Sequence, residues 1–270
     1  MRVADFLARL FSRSTLNPSL DVAHLDLTIE GLPQALDGFT LAQVSDLHVG
    51  PGDWVPVRGL DAARAIVEAR PDVVANTGDF LQHSPSLDAV RAWVQPLIIE
   101  PPGGLEGPVN LAVLGNHDYY AGEDMVEGLK VMLAAIGVRS LVNETVTVRK
   151  NGAAISFTGL EEREAGFDKA LRAAAEVPRP HVVLLHEADV AERLPPDSAD
   201  LVLAGHTHGG QITLPGLTGL IVRRFNGSKY VQGWYRVNGN RLYINRGLGC
   251  TGLPIRFRAR PEVTIFRFRR

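Results

Sequence analysis

Five short apolar runs, each closed by a polar turn, constrain this 270-residue chain more than any other feature. They are FTLAQVSDLH at residues 39–48, PDVVANTGD at 71–79, VNLAVLGNHD at 109–118, HVVLLHEAD at 181–189 and ADLVLAGHTH at 199–208. Each is too short for a helix and is punctuated by Gly or Asp. Continuous apolar stretches of this length are what strands covered on both faces look like. Such strands need layers above and below them, which predicts sheets with helices packed outside.

Helical patterns fill the intervals. LDAARAIVEAR, residues 60–70, carries Ala, Ile and Val on one face and stops before Pro71. DMVEGLKVMLAAIG, residues 124–137, ends on a glycine suited to a C-cap, and DKALRAAAE, residues 168–176, is a third. Alternating segments read as hairpins: VTVRK with AISFTGL around Asn151-Gly152, and WYRVNGNRLYIN through Asn238-Gly239-Asn240. The tail VTIFRFR alternates as well. No repeat or linker interrupts this order. One domain is expected over residues 33–270, behind an N-terminal amphipathic helix and lead-in over residues 1–32.

Composition narrows the class. With 45% hydrophobic residues, a formal net charge of −2 and no low-complexity tract, the chain reads as a folded globular protein. Its single cysteine, Cys250, excludes an internal disulfide and a cysteine-rich zinc site. No apolar window is long enough to span a membrane, and the N-terminus lacks the apolar core of a secretory signal. A cytoplasmic or peripheral-membrane location is therefore expected. Val3, Phe6, Leu7, Leu10 and Phe11 recur at helical spacing with Arg2, Arg9 and Arg13 between them. That pattern fits a helix lying on a bilayer surface, a helix packed on its own domain, or an expression remnant.

The polar residues that close the apolar runs form a constellation: Asp46 and His48, Asp79, Asn116 and His117, His186, then His206 and His208. Side chains at i and i+2 of extended backbone point the same way, so Asp46/His48 and His206/His208 can each aim two groups into one cavity. Gly78, Gly115 and Gly205 precede these residues, where a missing side chain lets the backbone turn sharply and approach an ion. The donors are carboxylate, imidazole and amide oxygen without thiolate, which suits Mn, Fe, Zn or Ni rather than Ca or Cu(I). Seven ligands are too many for one ion with an open position, and they suit two ions sharing a carboxylate. Two divalent cations against two aspartates leave a surplus of about two positive charges, which selects an anionic substrate.

In order, D-L-H at 46–48, G-D at 78–79, G-N-H-D at 115–118, His186 and G-H-T-H at 205–208 resemble the signature of the calcineurin-like metallophosphoesterases. The longer GHTHGGQI, with RGLGCTGLPIRFRARPE at residues 246–262, resembles one bacterial branch, many of whose members carry a membrane anchor or export signal. The resemblance implies an α/β fold, a four-layer α-β-β-α sandwich of two mixed β-sheets flanked by helices. It implies a phosphoesterase using two divalent or mixed-valence ions (Mn, Fe or Zn). Asp46, His48 and His208 would hold the first, Asp79 would bridge, and Asn116, His186 and His206 would hold the second. His117 would act as general acid or stabilise the phosphoryl oxygens. Asp118 would either orient His117 or cap the helix that follows. Relatives often carry an aspartate shortly after the G-D pair, where this chain has Gln82 and His83 instead. His83 reads as a solvent-facing loop residue.

The expected reaction is in-line attack on phosphorus by a hydroxide shared between the ions, without a covalent enzyme intermediate. A diester is the family expectation, and a monoester is the other possibility. From Ile221 onward the basic residues run from Arg223 to Arg270, opposed only by Glu262. Either this end faces something anionic or its arginines pair with the acidic remainder. Arg246 and Arg256, in loops rich in Gly and Pro, are candidate substrate contacts. Together with the N-terminal segment they favour a lipid-linked or membrane-surface phosphate ester, with peripheral membrane contact, over a soluble nucleotide. A non-catalytic metal-binding scaffold would be missing a ligand, and none is missing here. The absence of a stacking platform beyond Phe257, Phe266 and Phe268 argues against nucleic acid. The sequence fixes no oligomeric state.

Overall fold

The computed structural model describes residues 18–50, 56–82 and 85–270, and of residues 56–58 only the backbone. The N-terminal amphipathic helix and His83 lie outside the described residues. In chain order the elements begin with β1 (Asp21–Thr28), β2 (Thr40–Val44), α1 (Pro56–Ala69), β3 (Val73–Asn76), α2 (Leu87–Val94), β4 (Leu105–Glu106) and β5 (Asn110–Ala112). Next come α3 (Asn116–Tyr120), α4 (Glu123–Ala135), β6 (Arg139–Ser140), β7 (Glu144–Lys150), β8 (Ala153–Gly159) and α5 (Phe167–Ala173). The rest are β9 (His181–Leu184), β10 (Leu201–Ala204), α6 (Thr218–Phe225), β11 (Gly233–Val237), β12 (Asn240–Ile244) and β13 (Glu262–Arg269).

All five apolar runs become strands. One sheet has the order β1-β13-β2-β3-β5-β6 and the other β11-β12-β10-β9-β8-β7-β4. In the first, β2, β3, β5 and β6 run parallel; in the second, β12, β10, β9 and β8 do. Hairpins supply the antiparallel edges β7/β8 and β11/β12. Their two-residue turns place Asn151-Gly152 and Asn238-Gly239 at positive φ, as the twist of such hairpins requires.

The sheets face each other across a core that includes Phe39, Leu41, Phe157, Leu184, Leu203, Phe266 and Phe268. The outer face of the first sheet is covered by α1, α2 and α4 through Ile66, Val90, Val94, Leu129 and Leu133. Leu171 of α5 and the short helical turn at Ala188–Arg193 cover the second. This is the expected four-layer α-β-β-α sandwich. The glycine stop of α4 holds: Gly137 has φ 82°, and Val138 N–H returns to Leu133 O at 2.9 Å.

One expectation needs correction. The lead-in supplies β1, which pairs with β13 from Asp21↔Glu262 to Thr28↔Arg269, so the folded unit begins before residue 33. The alternating tail becomes β13, which lies between β1 and β2 and is buried from Glu262 to Phe266. A helix, α6, occupies a stretch for which the sequence pattern predicts no element.

Candidate metal centre

The functional side chains collect where the carboxyl ends of the parallel strands of both sheets meet, the usual ligand edge of such sheets. Asp46 and His48 follow β2, Asp79 follows β3, Asn116 opens α3 after β5, His186 follows β9, and His206 and His208 follow β10. Main-chain bonds fix the turns to one another: Asp46 N to Gly78 O at 2.9 Å, His48 N to Asp79 O at 3.0 Å and Gly205 N to His186 O at 3.1 Å. Gln43 Nε2 crosses between the sheets to Ala204 O at 2.9 Å.

The turns are strained. Asp46, His48, Asp79, His206 and His208 have φ of 52°, 47°, 56°, 73° and 53°, in the left-handed region that side chains avoid. Such conformations cost of order 1–3 kcal/mol each and persist where the surroundings over-determine them. Close approach also demands glycine. A Cβ on Gly115 would collide with the Asp79 carboxylate, and one on Gly205 with the Ser45 hydroxyl and Asp46 Oδ2.

Three overlapping donor clusters result, Asp46/His48/His208, Asp79/His186/His206 and His48/Asp79/His117. His48 Nε2 and His208 Nε2 are 2.9 Å apart, with Asp46 Oδ1 at 3.8 Å and 3.4 Å from them. His186 Nε2 lies 3.1 Å from Asp79 Oδ2 and 3.2 Å from Asn116 Oδ1, which is 2.9 Å from His206 Nδ1. Asp79 Oδ2 is also 3.4 Å from His48 Nε2, so this carboxylate faces both of the first two clusters. The outer ring nitrogens identify which lone pairs point inward. His48 Nδ1 donates to Gln82 Oε1 at 2.8 Å, His186 Nδ1 to Thr77 O at 2.7 Å and His206 Nε2 to Asn226 O at 3.3 Å. Their inner nitrogens therefore present lone pairs to carboxylate and amide oxygens, and a cation between them satisfies the set. His208 is the exception, its outer Nδ1 facing Arg256 Nη2 at 3.2 Å.

Protons compete for the same places. Burial disfavours a charged His186, but the Asp79 carboxylate outweighs it and pushes the ring up to about 10. Burial would raise Asp46, yet the His208, His48 and His186 rings hold it below the usual carboxylate range. Burial drives His208 well down. A divalent cation supplies the positive charge that these carboxylates otherwise draw from protons.

The sequence profile of the calcineurin-like phosphoesterases matches residues 39–210, which hold every one of these donors. This chain belongs to the calcineurin-like metallophosphoesterases. It is 32% identical to the uncharacterized metallophosphoesterase YkuE of Bacillus subtilis (strain 168), over 87% of this chain and 80% of that protein. It is 29% identical to Phosphodiesterase YaeI of Escherichia coli (strain K12), over 84% and 81%. A 31% match to the Transmembrane protein with metallophosphoesterase domain of Danio rerio covers 90% of this chain but 56% of that longer protein. The protein is a metal-dependent phosphoesterase. No helix among its described residues is long and apolar enough to cross a membrane.

Residues around the metallophosphoesterase centre take roles only partly legible beforehand. His117 is half-buried, its ring edge-on to His48 at 4.8 Å and its main-chain N–H donated to Asp79 Oδ1 at 2.8 Å. Burial pushes this imidazole down. Asp118 does not orient it. The Asp118 carboxylate accepts from Gly115 N at 2.8 Å, Asp79 N at 3.1 Å and Leu81 N at 2.9 Å, capping α3 and tying it to the Asp79 turn. Burial and the nearby Asp79 charge push it up to about 7. Gln82, flagged only as a departure from relatives, is the group that orients His48.

The two candidate substrate arginines are turned inward. Arg246 is held by Glu262 Oε2 at 2.5 Å and Asp21 Oδ2 at 2.6 Å. Arg256 is wholly buried, donating to the carbonyls of Gly249, Ala259 and His208. Both brace the loops behind the centre, Arg256 fully buried and Arg246 turned to its two carboxylates.

Proposed function

We propose that the protein hydrolyses phosphodiesters by direct attack of water, with two divalent or mixed-valence ions (Mn, Fe or Zn). Asp46, His48 and His208 would hold one ion, Asn116, His186 and His206 the other, and Asp79 would serve both. The observation that carries this reading is the convergence of carboxylates, rings and an amide from both sheets on two adjacent clusters, with the Asp79 carboxylate facing both. Ions bound there would lower the pKa of a water and neutralise charge on the phosphoryl oxygens. The chain's own groups position the reaction: Asp79 accepts the main-chain N–H of His117, and that of His206 holds Asp46 through Oδ1 at 3.1 Å and Oδ2 at 3.2 Å.

His117 forms a third triad with His48 and Asp79 but belongs to neither of the two assigned to ions, and in that arrangement its ring would give an N–H to a phosphoryl oxygen. Thr207, between two ligands, gives its hydroxyl to Val231 O and offers no nucleophile. The name of the E. coli relative supports a diester substrate. The test is His117→Ala protein reconstituted with Mn, Fe or Zn and assayed on bis(p-nitrophenyl) phosphate. It should keep two ions and lose about 10²–10³-fold in kcat. Loss of an ion would overturn the assignment of His117, and an inactive metal-loaded wild type would overturn the function.

A further inference from the structure

The arginines of the C-terminal region differ in how they are held. Arg246 and Arg269 are held by carboxylates, and Arg236, Arg241, Arg256 and Arg260 by main-chain carbonyls. Arg223, Arg224, Arg258, Arg267 and Arg270 are exposed, and none makes an ion pair among the described residues; the first three lie on or beside α6. Arg224 lies over the Phe225 ring at 5.9 Å and Arg258 over Phe257 at 5.4 Å. No Asp or Glu occurs between Asp200 and Glu262 to neutralise them locally.

These charges share a surface with uncovered apolar side chains. α6 buries Val222 and lays Thr218 against Gly210 of the ligand-bearing turn. On the other side Leu217, Leu220 and Arg224 follow at helical spacing, so a stripe of two leucines and an arginine points away from the protein. Leu217 is 51% exposed, Leu220 66%, Phe225 80% and the preceding Leu214 38%. The loop bearing Arg258 is bonded to the segment before α6, Thr213 N to Phe257 O at 2.8 Å. Single exposed leucines are ordinary, whereas a cluster rimmed by cations marks a binding face.

We propose that this face docks on an anionic lipid bilayer, Leu214, Leu217, Leu220 and Phe225 entering at head-group level and Arg223, Arg224 and Arg258 meeting lipid phosphates. A bilayer supplies both an apolar depth for the leucines and a dense array of anions for the arginines. Docking holds the metal centre at the membrane, because α6 ends on Asn226, whose carbonyl accepts from His206 Nε2 at 3.3 Å. That the docked protein acts on lipid-borne phosphate esters rests on the function proposed above; the docking itself does not.

Metal-loaded protein sedimented with vesicles of phosphatidylglycerol or phosphatidylcholine tests this. Binding to phosphatidylglycerol should be about tenfold the stronger and weaken with salt. A Leu217→Ser/Leu220→Ser/Phe225→Ser protein and an Arg223→Glu/Arg224→Glu/Arg258→Glu protein should each lose about tenfold or more of it. Both should hydrolyse soluble bis(p-nitrophenyl) phosphate at the wild-type rate. Equal sedimentation of wild type and variants overturns the proposal, as does a wild-type dimer in light scattering that the serine variant splits. Docking by a wild type that cannot cleave the soluble diester would leave the proposal standing and remove the proposed function.

Discussion

The two sheets bring different chemistry to one site. The first contributes both carboxylates, Asp46 and Asp79, the Asn116 amide and the His48 ring; the second contributes the His186, His206 and His208 rings and no acid. The Asp46/His48/His208 and Asp79/His186/His206 clusters each draw on both sheets, so completing either takes both, whereas His48/Asp79/His117 lies on the first alone. The negative charge that would balance bound cations sits on the first sheet, while the second supplies the remaining rings. Closing the sandwich and assembling the centre are thus one event, and metal content reports on how the sheets meet.

The largest effect should come from removing charge on the first sheet. Asp79→Ala takes away the carboxylate that faces both clusters, so metal analysis after gel filtration should find neither ion, and diester turnover should fall about 10³-fold or more. Two retained ions would break the comparison outright. Smaller effects are expected from the second sheet, where one ring serves one cluster. His206→Ala and His208→Ala should each keep one ion, at opposite positions, and lose about 10²–10³-fold in kcat/KM. Anomalous scattering from Mn-loaded crystals would locate the survivor, and loss of both ions in either variant would show that the clusters are not separable.

The strands and the polar residues that close them were visible in the sequence, because double-sided burial writes strands as unbroken apolar runs and polar groups at their ends interrupt those runs abruptly; which sheet each run joins was not. The hairpins were visible through Asn-Gly. What escaped detection depends on contacts distant in the chain. β1 reads DVAHLDLT, half polar because its odd positions are part-covered, and its partner β13 lies more than two hundred residues away. α6 escaped because Gly and Pro precede it and its apolar residues face outward, inverting the pattern that marks a surface helix. Arg256 looked like a substrate contact because loop arginines ordinarily reach solvent; only the fold shows main-chain carbonyls surrounding it. Asp118 carried two readings from sequence, and three backbone N–H groups decide for the cap.

The sheets also differ in what aims their rings. On the first, a side chain does it: Gln82 Oε1 accepts from His48 Nδ1. On the second, main-chain carbonyls of Thr77 and Asn226 take the protons of His186 and His206, and a side chain, Arg256, faces only His208. A carbonyl cannot be substituted away, but Gln82 can. Gln82→Leu should weaken one ion about 10–100-fold, measured by competition with a chelator, and leave the other within error. Equal weakening of both would mean that Gln82 supports the fold of the whole centre rather than one ring.

A buried histidine on the second sheet is not by that fact a ligand, and β9 allows the contrast within one strand. His186 follows its carboxyl end, while His181 opens it, wholly buried, with Nδ1 2.8 Å from Ser198 O and Nε2 2.8 Å from Thr158 Oγ1. The carbonyl can only accept, so Nδ1 carries the proton, and neutral Nε2 accepts from the threonine. Burial pushes this ring down from its ordinary value of 6.5. The unfolded chain then binds a proton that the folded protein refuses. His181's contribution to stability is therefore full above pH 6.5 and is lost as pH falls towards the depressed folded value, with a slope approaching about 1.4 kcal/mol per pH unit. His181→Asn keeps a donor near Nδ1 and cannot titrate. Urea midpoints of metal-free protein between pH 7.5 and 5.5 should fall less steeply for the variant than for wild type, although the variant begins about 1–3 kcal/mol less stable. Parallel profiles would mean that His181 is charged in the folded protein, and the distinction between the two ends of the strand would fail.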